Sequence, residues 1–172
     1  MKRLFDLANL VLVLLIGVVF FRAYPGLPAR VPAHFNLAGR PDRWGRRDEM
    51  IWLVILPAVA AAVLYLMVAM VPRLAANPRV VNIPHKADFL RLPPEKREIY
   101  WQVYREFFAG LAAALDLLFY LFIRGSIEVA MGTRTGLPFK DGLPAFVMTG
   151  VFMVYYTWRM VSLPGRLIRG EA

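Results

Sequence analysis

Cysteine is absent from this chain of 172 residues, and histidine occurs only twice, as His34 and His85. The lack of cysteine excludes disulfides, thiolate metal sites and cysteine nucleophiles. The two histidines lie in loops that a single predicted helix separates, so they face opposite sides of a membrane and cannot share a metal ion. A zinc site would then need one histidine plus carboxylates, which departs from ordinary structural sites. We therefore expect no metal site and no cofactor.

The common catalytic patterns are also missing. The sequence contains no HExxH, no GxSxG and no glycine-rich phosphate-binding loop. Ser126 and Ser162 have no obvious base near them in the sequence. We expect a protein that is not an enzyme, and we predict no catalytic residue.

Apolar residues dominate what remains. They make up 59% of the chain, whereas charged residues make up 19%. Apolar runs close to the length that crosses a bilayer recur along the chain. The pattern predicts one all-α membrane domain over residues 1–172 with four transmembrane helices, at about 4–21, 51–71, 94–123 and 143–161.

The net charge of +9 comes from arginines and lysines that flank these runs. Such residues are typical of contacts with lipid headgroups and of topology control, so we expect membrane lipids and not nucleic acid as partners. Lys2 and Arg3 precede the first helix, and only Arg22 directly follows it. This asymmetry predicts a multi-pass protein with both termini in the cytoplasm and with loop 22–49 outside the cell. The first helix is predicted to remain uncleaved, because the small-x-small site at 31–33 lies far beyond its apolar core and contains proline.

Loop 22–49 has an unusually specific sequence, "YPGLPARVPAHFNLAGRPDRWG" at Tyr24–Gly45. Its prolines restrict φ and favour extended geometry in the residues that precede them. Apolar residues alternate with other residues in its middle, at Val31, Ala33, Phe35 and Leu37. This period predicts an ordered, partly extended loop that buries Phe35 and Leu37 against the helix ends and keeps His34 and Asn36 on a polar face. The third loop, at 126–142, lies on the same side and is also rich in turn residues, so we expect a small strand pairing between the two loops.

The loop resembles the signature of an uncharacterised bacterial membrane domain that also forms the N-terminal part of SdpI-like immunity and signalling proteins. The pattern is Tyr-Pro-x-Leu-Pro, then Pro-x-His-Phe, then a Gly-x-Pro-Asp turn and an aromatic residue. It is carried here by Tyr24, Pro25, Leu27, Pro28, Pro32, His34, Phe35, Gly39, Pro41, Asp42 and Trp44. The resemblance implies a protein of the bacterial cytoplasmic membrane that acts in toxin immunity or signalling.

Asp116 is the one carboxylate within the apolar part of a predicted span. It shares a helix face with Ala109, Ala113 and Tyr120, and small residues favour close helix packing, so Asp116 should point into the bundle. Two interpretations stay open: a ligand or proton site, or a structural clamp bonded to a hydroxyl. The available hydroxyls are those of Tyr65, Thr149, Tyr155 and Tyr156.

The sequence thus predicts a non-enzymatic membrane protein whose outer loop recognises an extracytoplasmic peptide, lipid or protein. The alternatives are an accessory subunit of a larger membrane complex and a small transporter that uses Asp116. His34 has its own alternative, in which a ring nitrogen only anchors the loop to a backbone carbonyl. The candidate ligand- or partner-binding residues are His34, Asn36, Asp42, Trp44, Tyr24 and Asp116.

Overall fold

The structure, a computed structural model, describes residues 1–137 and 139–171. Within them, the structure consists of four long helices, one four-residue helix and a small antiparallel hairpin at one end of the bundle. Short 3₁₀ turns follow α1 and α2 and lead into α2. The elements are α1 (Lys2–Ala23), β1 (Arg30–Phe35), β2 (Pro41–Arg46), α2 (Trp52–Ala76), α3 (Lys86–Phe89), α4 (Pro94–Ala130) and α5 (Phe139–Arg169).

Three segments of the described chain are long and apolar enough to cross a membrane: Lys2–Gly26, Arg47–Ala76 and Pro94–Ala130. The chain is therefore that of a multi-pass membrane protein. The fourth predicted span lies in α5, which is not among the three because tyrosines, threonines and Arg159 interrupt its apolar run. The four-span count stays a prediction.

α1 shows the distribution of side chains expected of a helix in lipid. Leu7, Leu10 and Leu14 are each more than half exposed on its outer face, whereas Asn9 is buried on its inner face. In water this arrangement would be unfavourable, because it exposes apolar surface and buries an amide. In a membrane the leucines contact acyl chains and the polar group faces the neighbouring helices.

α4 is the central helix of the bundle. α1, α2 and α5 all pack against it, whereas α1 and α2 scarcely contact each other. α1 and α4 run in the same direction, because Phe5 lies beside Gly110 and Phe20 lies in one cluster with Ile127. The cluster that contains Phe20 and Ile127 also contains Val31. The hairpin is therefore anchored in the core at the end of the bundle where α1 and α4 end.

All four long helices continue past their predicted ends: α1 to Ala23, α2 to Ala76, α4 to Ala130 and α5 to Arg169. α4 continues through Gly125 to Ala130, and an Arg124 Nε–Glu128 Oε1 ion pair of 2.9 Å supports the added turns. At 37 residues it is about 55 Å long, well beyond the thickness of the hydrocarbon core. α2 continues through Pro72 to Ala76 and does not end at the proline.

Candidate functional site

The outer loop folds into an antiparallel hairpin in which Val31 pairs with Gly45 and Pro32 pairs with Trp44. Asn36 builds the turn, because its Oδ1 accepts the backbone N–H groups of Ala38 and Arg40 at 2.9 and 3.1 Å. Gly39 adopts a φ of +74°, a backbone conformation that glycine allows without strain. The predicted order of this loop thus has a specific cause in its turn chemistry.

The predicted alternation along β1 is broken in two places. The strand register is irregular between Pro32 and His34 and again between His34 and Phe35. Val31 and its neighbour Pro32 are both buried, whereas Ala33 is exposed. Phe35 packs edge-on against Phe122, as expected for a residue that faces the helices. The prediction for Leu37 is wrong: this residue sits in the turn and its side chain is fully exposed.

The predicted strand pairing between the first and third loops is also wrong, because β1 pairs with β2. The two loops nevertheless meet through one backbone hydrogen bond, from Leu137 N to Gly39 O at 2.8 Å. A Cβ at Gly136 would lie only 2.8 Å from that same oxygen. The close approach of the two loops therefore depends on glycine at this position.

A cavity of about 470 Å³ lies between the hairpin and the adjacent ends of α2 and α4. Its volume falls within the range of about 300–1,000 Å³ that is typical of small-molecule sites. Both apolar and polar side chains line it. The lining residues are Val31, Pro32, Ala33, His34, Phe35, Arg43, Arg46, Glu49, Met50, Trp52, Leu53, Phe122, Ser126 and Leu137.

The polar part of this cavity carries both signs of charge, and Glu49 is the one acidic residue among those that line it. Glu49 Oε1 accepts the backbone N–H of Arg46 at 3.3 Å, and the Arg46 guanidinium binds Asp48 at 2.7 Å. Arg43 has no acidic partner in the part of the chain that the structure describes. The Arg43 guanidinium can therefore donate hydrogen bonds to a negatively charged group of an incoming ligand.

His34 lies on the cavity wall and forms a close pair with Asp42, with 2.6 Å between Nδ1 and Oδ1. The partner differs from the backbone carbonyl that we considered for a loop anchor. It is the aspartate of the Gly-x-Pro-Asp turn, which the hairpin folds back onto the histidine. The pair orients the imidazole beside the cavity, and the ring keeps its second nitrogen for another contact.

The other three predicted loop residues, Tyr24, Asn36 and Trp44, do not line the cavity. Tyr24 packs against the Phe20 ring at 5.5 Å and lies under the Arg47 guanidinium at 5.2 Å, so it belongs to the base of the hairpin. Asn36 is occupied by its turn. Trp44 is about half exposed and does not line the cavity. Of the six predicted residues, His34 lines the cavity and Asp42 holds it there.

We expect His34→Ala to leave the fold intact. The His34 and Asp42 side chains are 61% and 42% exposed, and exposed ion pairs contribute about 0–1 kcal/mol to stability. Thermal unfolding of the purified protein in detergent should therefore change by only a few degrees. Asp42→Asn is the matched control and should behave alike. A large loss of stability in either variant would contradict the exposed pair as described.

Asp116 lies apart from the hairpin, inside the bundle, as its helix face predicts. Its side chain is 1% exposed, and Oδ2 has no hydrogen-bond partner among the described residues. Three of the four expected hydroxyl donors are engaged elsewhere: Tyr65 with Asp6 at 3.0 Å, Tyr156 with Glu106 at 3.3 Å and Thr149 with the Ala145 carbonyl at 2.8 Å. The fourth, Tyr155, is 45% exposed and lies under the Arg159 guanidinium. The clamp to a hydroxyl is thus not formed in this structure.

Sequence reasoning missed two polar residues in the first half of α1, Asp6 and Asn9. Asn9 is 9% exposed, and its Oδ1 also lacks a partner within the described chain. Asp6 accepts hydrogen bonds from Tyr65 and from Lys2, the latter at 2.6 Å. A signal was present, since Asn9 is a lone amide in the apolar run of the first helix. Arg43, Glu49 and Phe122 at the cavity were missed because only the folded hairpin brings them together.

Comparison with known proteins places the hairpin within a recurring unit. An uncharacterized protein of Archaeoglobus fulgidus is 27% identical over 137 residues, which covers 67% of this chain and 75% of that relative. No solved structure matches. Residues 10–61, which comprise most of α1, the whole hairpin and the start of α2, match a family described as "Domain of unknown function (DUF1648)".

Proposed function

We propose that this protein is a non-enzymatic membrane protein that binds an amphipathic ligand in the cavity beneath its hairpin. The observation that carries the proposal is the cavity itself, whose walls come from β1, from the segment around Met50 and Leu53, and from α4. Concave sites with apolar walls and a few convergent polar groups are typical of ligand binding. The ligand class is a peptide or lipid with an apolar body and an anionic end.

The lining supports that class in two ways. Phe35, Leu53 and Phe122 offer aromatic and aliphatic surface for an apolar body. Arg43 and His34 lie on the hairpin side, where an anionic group would replace lost solvation with charge-assisted hydrogen bonds. Trp52 and Phe122 are partly exposed beside the cavity, at 57% and 39%, so a ligand can approach from the lipid as well as from water.

The proposed setting is the outer face of a bacterial cytoplasmic membrane, with the hairpin outside and the N-terminus inside. The arginine and lysine asymmetry around α1 supports this orientation. Together with the resemblance of the hairpin to SdpI-like proteins, it favours a role in immunity or signalling, in which capture of the ligand is the functional event.

A photoreactive residue in the cavity should capture this ligand. We expect p-benzoylphenylalanine at Phe35 to crosslink a small molecule or peptide in intact cells, because Phe35 lines the cavity. The control places the same residue at Leu37, which is fully exposed in the turn only two positions away. Intact-protein mass spectrometry should find a discrete added mass at position 35 and none at position 37.

The added mass identifies the class of occupant. A mass of lipid or peptide size, lost after Arg43→Ala, would support the proposal. Equal crosslinking at positions 35 and 37 would contradict it. A crosslink from position 35 to one stoichiometric membrane protein would favour the accessory-subunit alternative instead.

A further inference from the structure

A second polar site lies inside the bundle. The packing of α1 against α4 determines which of their residues lie at the same height along the helix axes. Phe5 lies beside Gly110 toward one end of this helix pair, and Phe20 lies with Ile127 toward the other. The helices run in parallel and both rise by about 1.5 Å per residue. Asn9, one turn beyond Phe5, therefore lies level with the turn of α4 that carries Asp116.

Both side chains face the helix interface. Asn9, Ile16 and Phe20 are the buried residues of α1, and their spacing places them on one face. Asp116 shares its face of α4 with buried Ala109, Ala112 and Ala113, whose small side chains allow α1 and α2 to approach closely. Asn9 and Asp116 are therefore both buried at the same level, on the sides of α1 and α4 that face the bundle interior.

Each side chain presents an unpartnered acceptor. Asn9 Oδ1 and Asp116 Oδ2 are buried, and neither receives a hydrogen bond from the described residues. Two oxygens that both accept and lack a donor cannot satisfy each other. An ionised carboxylate in apolar surroundings is moreover strongly unfavourable unless it is paired. One added proton would neutralise the acid and supply the missing donor.

The groups that face Asp116 do not offer a cation. α1 contributes Asp6, whose carboxylate is already bonded to Lys2 and Tyr65. α2 contributes Tyr65, which is within electrostatic range of both Asp6 and Asp116. On α4 itself Tyr120 follows one turn later. On α5, which runs antiparallel to α4, Tyr156 bonds Glu106 toward the start of α4, and Lys140 lies toward the opposite end and is exposed.

We propose that Asp116 and Asn9 form an intramembrane proton-binding site. Asp116 takes up one proton from water as a carboxylic acid and donates it in a hydrogen bond to Asn9 Oδ1. The proton route leads from the start of α1 along Lys2, Asp6 and Tyr65, which are joined by hydrogen bonds of 2.6 and 3.0 Å, and Tyr65 lies within electrostatic range of Asp116. The ligand is the proton itself, and the site is independent of the cavity beneath the hairpin.

Isotope-edited infrared spectroscopy of the full chain in lipid nanodiscs tests this site directly. With carboxyl-¹³C aspartate at neutral pH and without sodium, we expect a protonated-carboxyl band that shifts with the label. Asp116→Asn should remove the band, whereas the control Asp88→Asn, at an exposed aspartate in the connection between α2 and α4, should retain it. Asn9→Leu should move the band to higher wavenumber, because the acid loses its hydrogen-bond acceptor. The label assigns the band to aspartate even if a variant fails to fold.

Transfer of the protein into heavy water tests the proposed proton route through Lys2, Asp6 and Tyr65. The band should shift as deuterium replaces the proton, and Tyr65→Phe should slow that shift severalfold by interrupting the path. Unchanged exchange in Tyr65→Phe would overturn the route. Absence of a label-sensitive protonated band would overturn the site, as would a carboxylate band that responds to sodium. Absence of the protonated band would mean that the Asn9 amide donates to an ionised Asp116. A carboxylate band that responds to sodium would mean that a metal cation binds there.

Discussion

Cysteine introduced at Leu37 is expected to react fully with a membrane-impermeant maleimide in cells whose outer envelope has been permeabilised. The Leu37 side chain lies in the hairpin turn and is fully exposed, so the thiol will be accessible wherever the hairpin meets water. The chain has no native cysteine, and every labelled molecule therefore reports on this position alone. Labelling is measured by the mass shift on a gel and should approach completion within minutes.

The matched control is Val80→Cys, in the connection between α2 and α4. Val80 is 68% exposed, but it lies beyond the far end of α2 and so on the opposite side of the membrane. It should stay unlabelled until the cells are lysed. The reverse pattern would place the hairpin in the cytoplasm, and the proposed extracytoplasmic ligand would then be wrong.

Gly110→Val should produce the largest loss of stability of any single apolar substitution considered for this protein. A Cβ at Gly110 would lie 2.6 Å from Phe152 Cε2 and 3.2 Å from Phe5 Cε2, closer than van der Waals contact allows. Phe152 cannot easily yield, because its ring packs against Phe5, Phe107 and Tyr156. Overpacking of this kind costs about 1–3 kcal/mol, which thermal unfolding in detergent will detect.

Gly150→Val provides the control for that experiment. Gly150 also lies within a long helix, but a Cβ there would meet nothing within 4 Å. The same change of residue should therefore leave the unfolding temperature close to that of the wild type. Equal losses in the two variants would show that valine disfavours these helices in general and that the contact at Gly110 is not the cause.

The extended loop was predictable because its determinants are local. Prolines, the alternation around Phe35 and the turn residues Asn36 and Gly39 act within a few positions of themselves. The break in the alternation was not predictable, because it follows from the pairing with β2. Leu37 was placed wrongly for the same reason, since continuing the period carried it past the point where the strand turns.

The bundle shows a similar division between what is local and what is not. The burial of Asp116 followed from the neighbouring alanines and from the cost of charge in lipid. Its surroundings did not, because the level of Asn9 depends on the register of α1 against α4, which no local pattern encodes. The cavity depends likewise on where the hairpin lies over Phe122. The family match over residues 10–61 covers the hairpin but not α4. It therefore includes neither Phe122 of the cavity nor Asp116 of the second site.

The central position of α4 has a consequence for biosynthesis. The ribosome delivers α1 and α2 well before α4, and these two helices have little surface in common. The nascent chain must therefore keep Asn9 in lipid, without its later neighbour, until α4 arrives. Assembly cannot proceed as a stable α1–α2 hairpin to which further helices add in turn. A chain interrupted before α4 would leave that amide without the helix that buries it in the complete bundle.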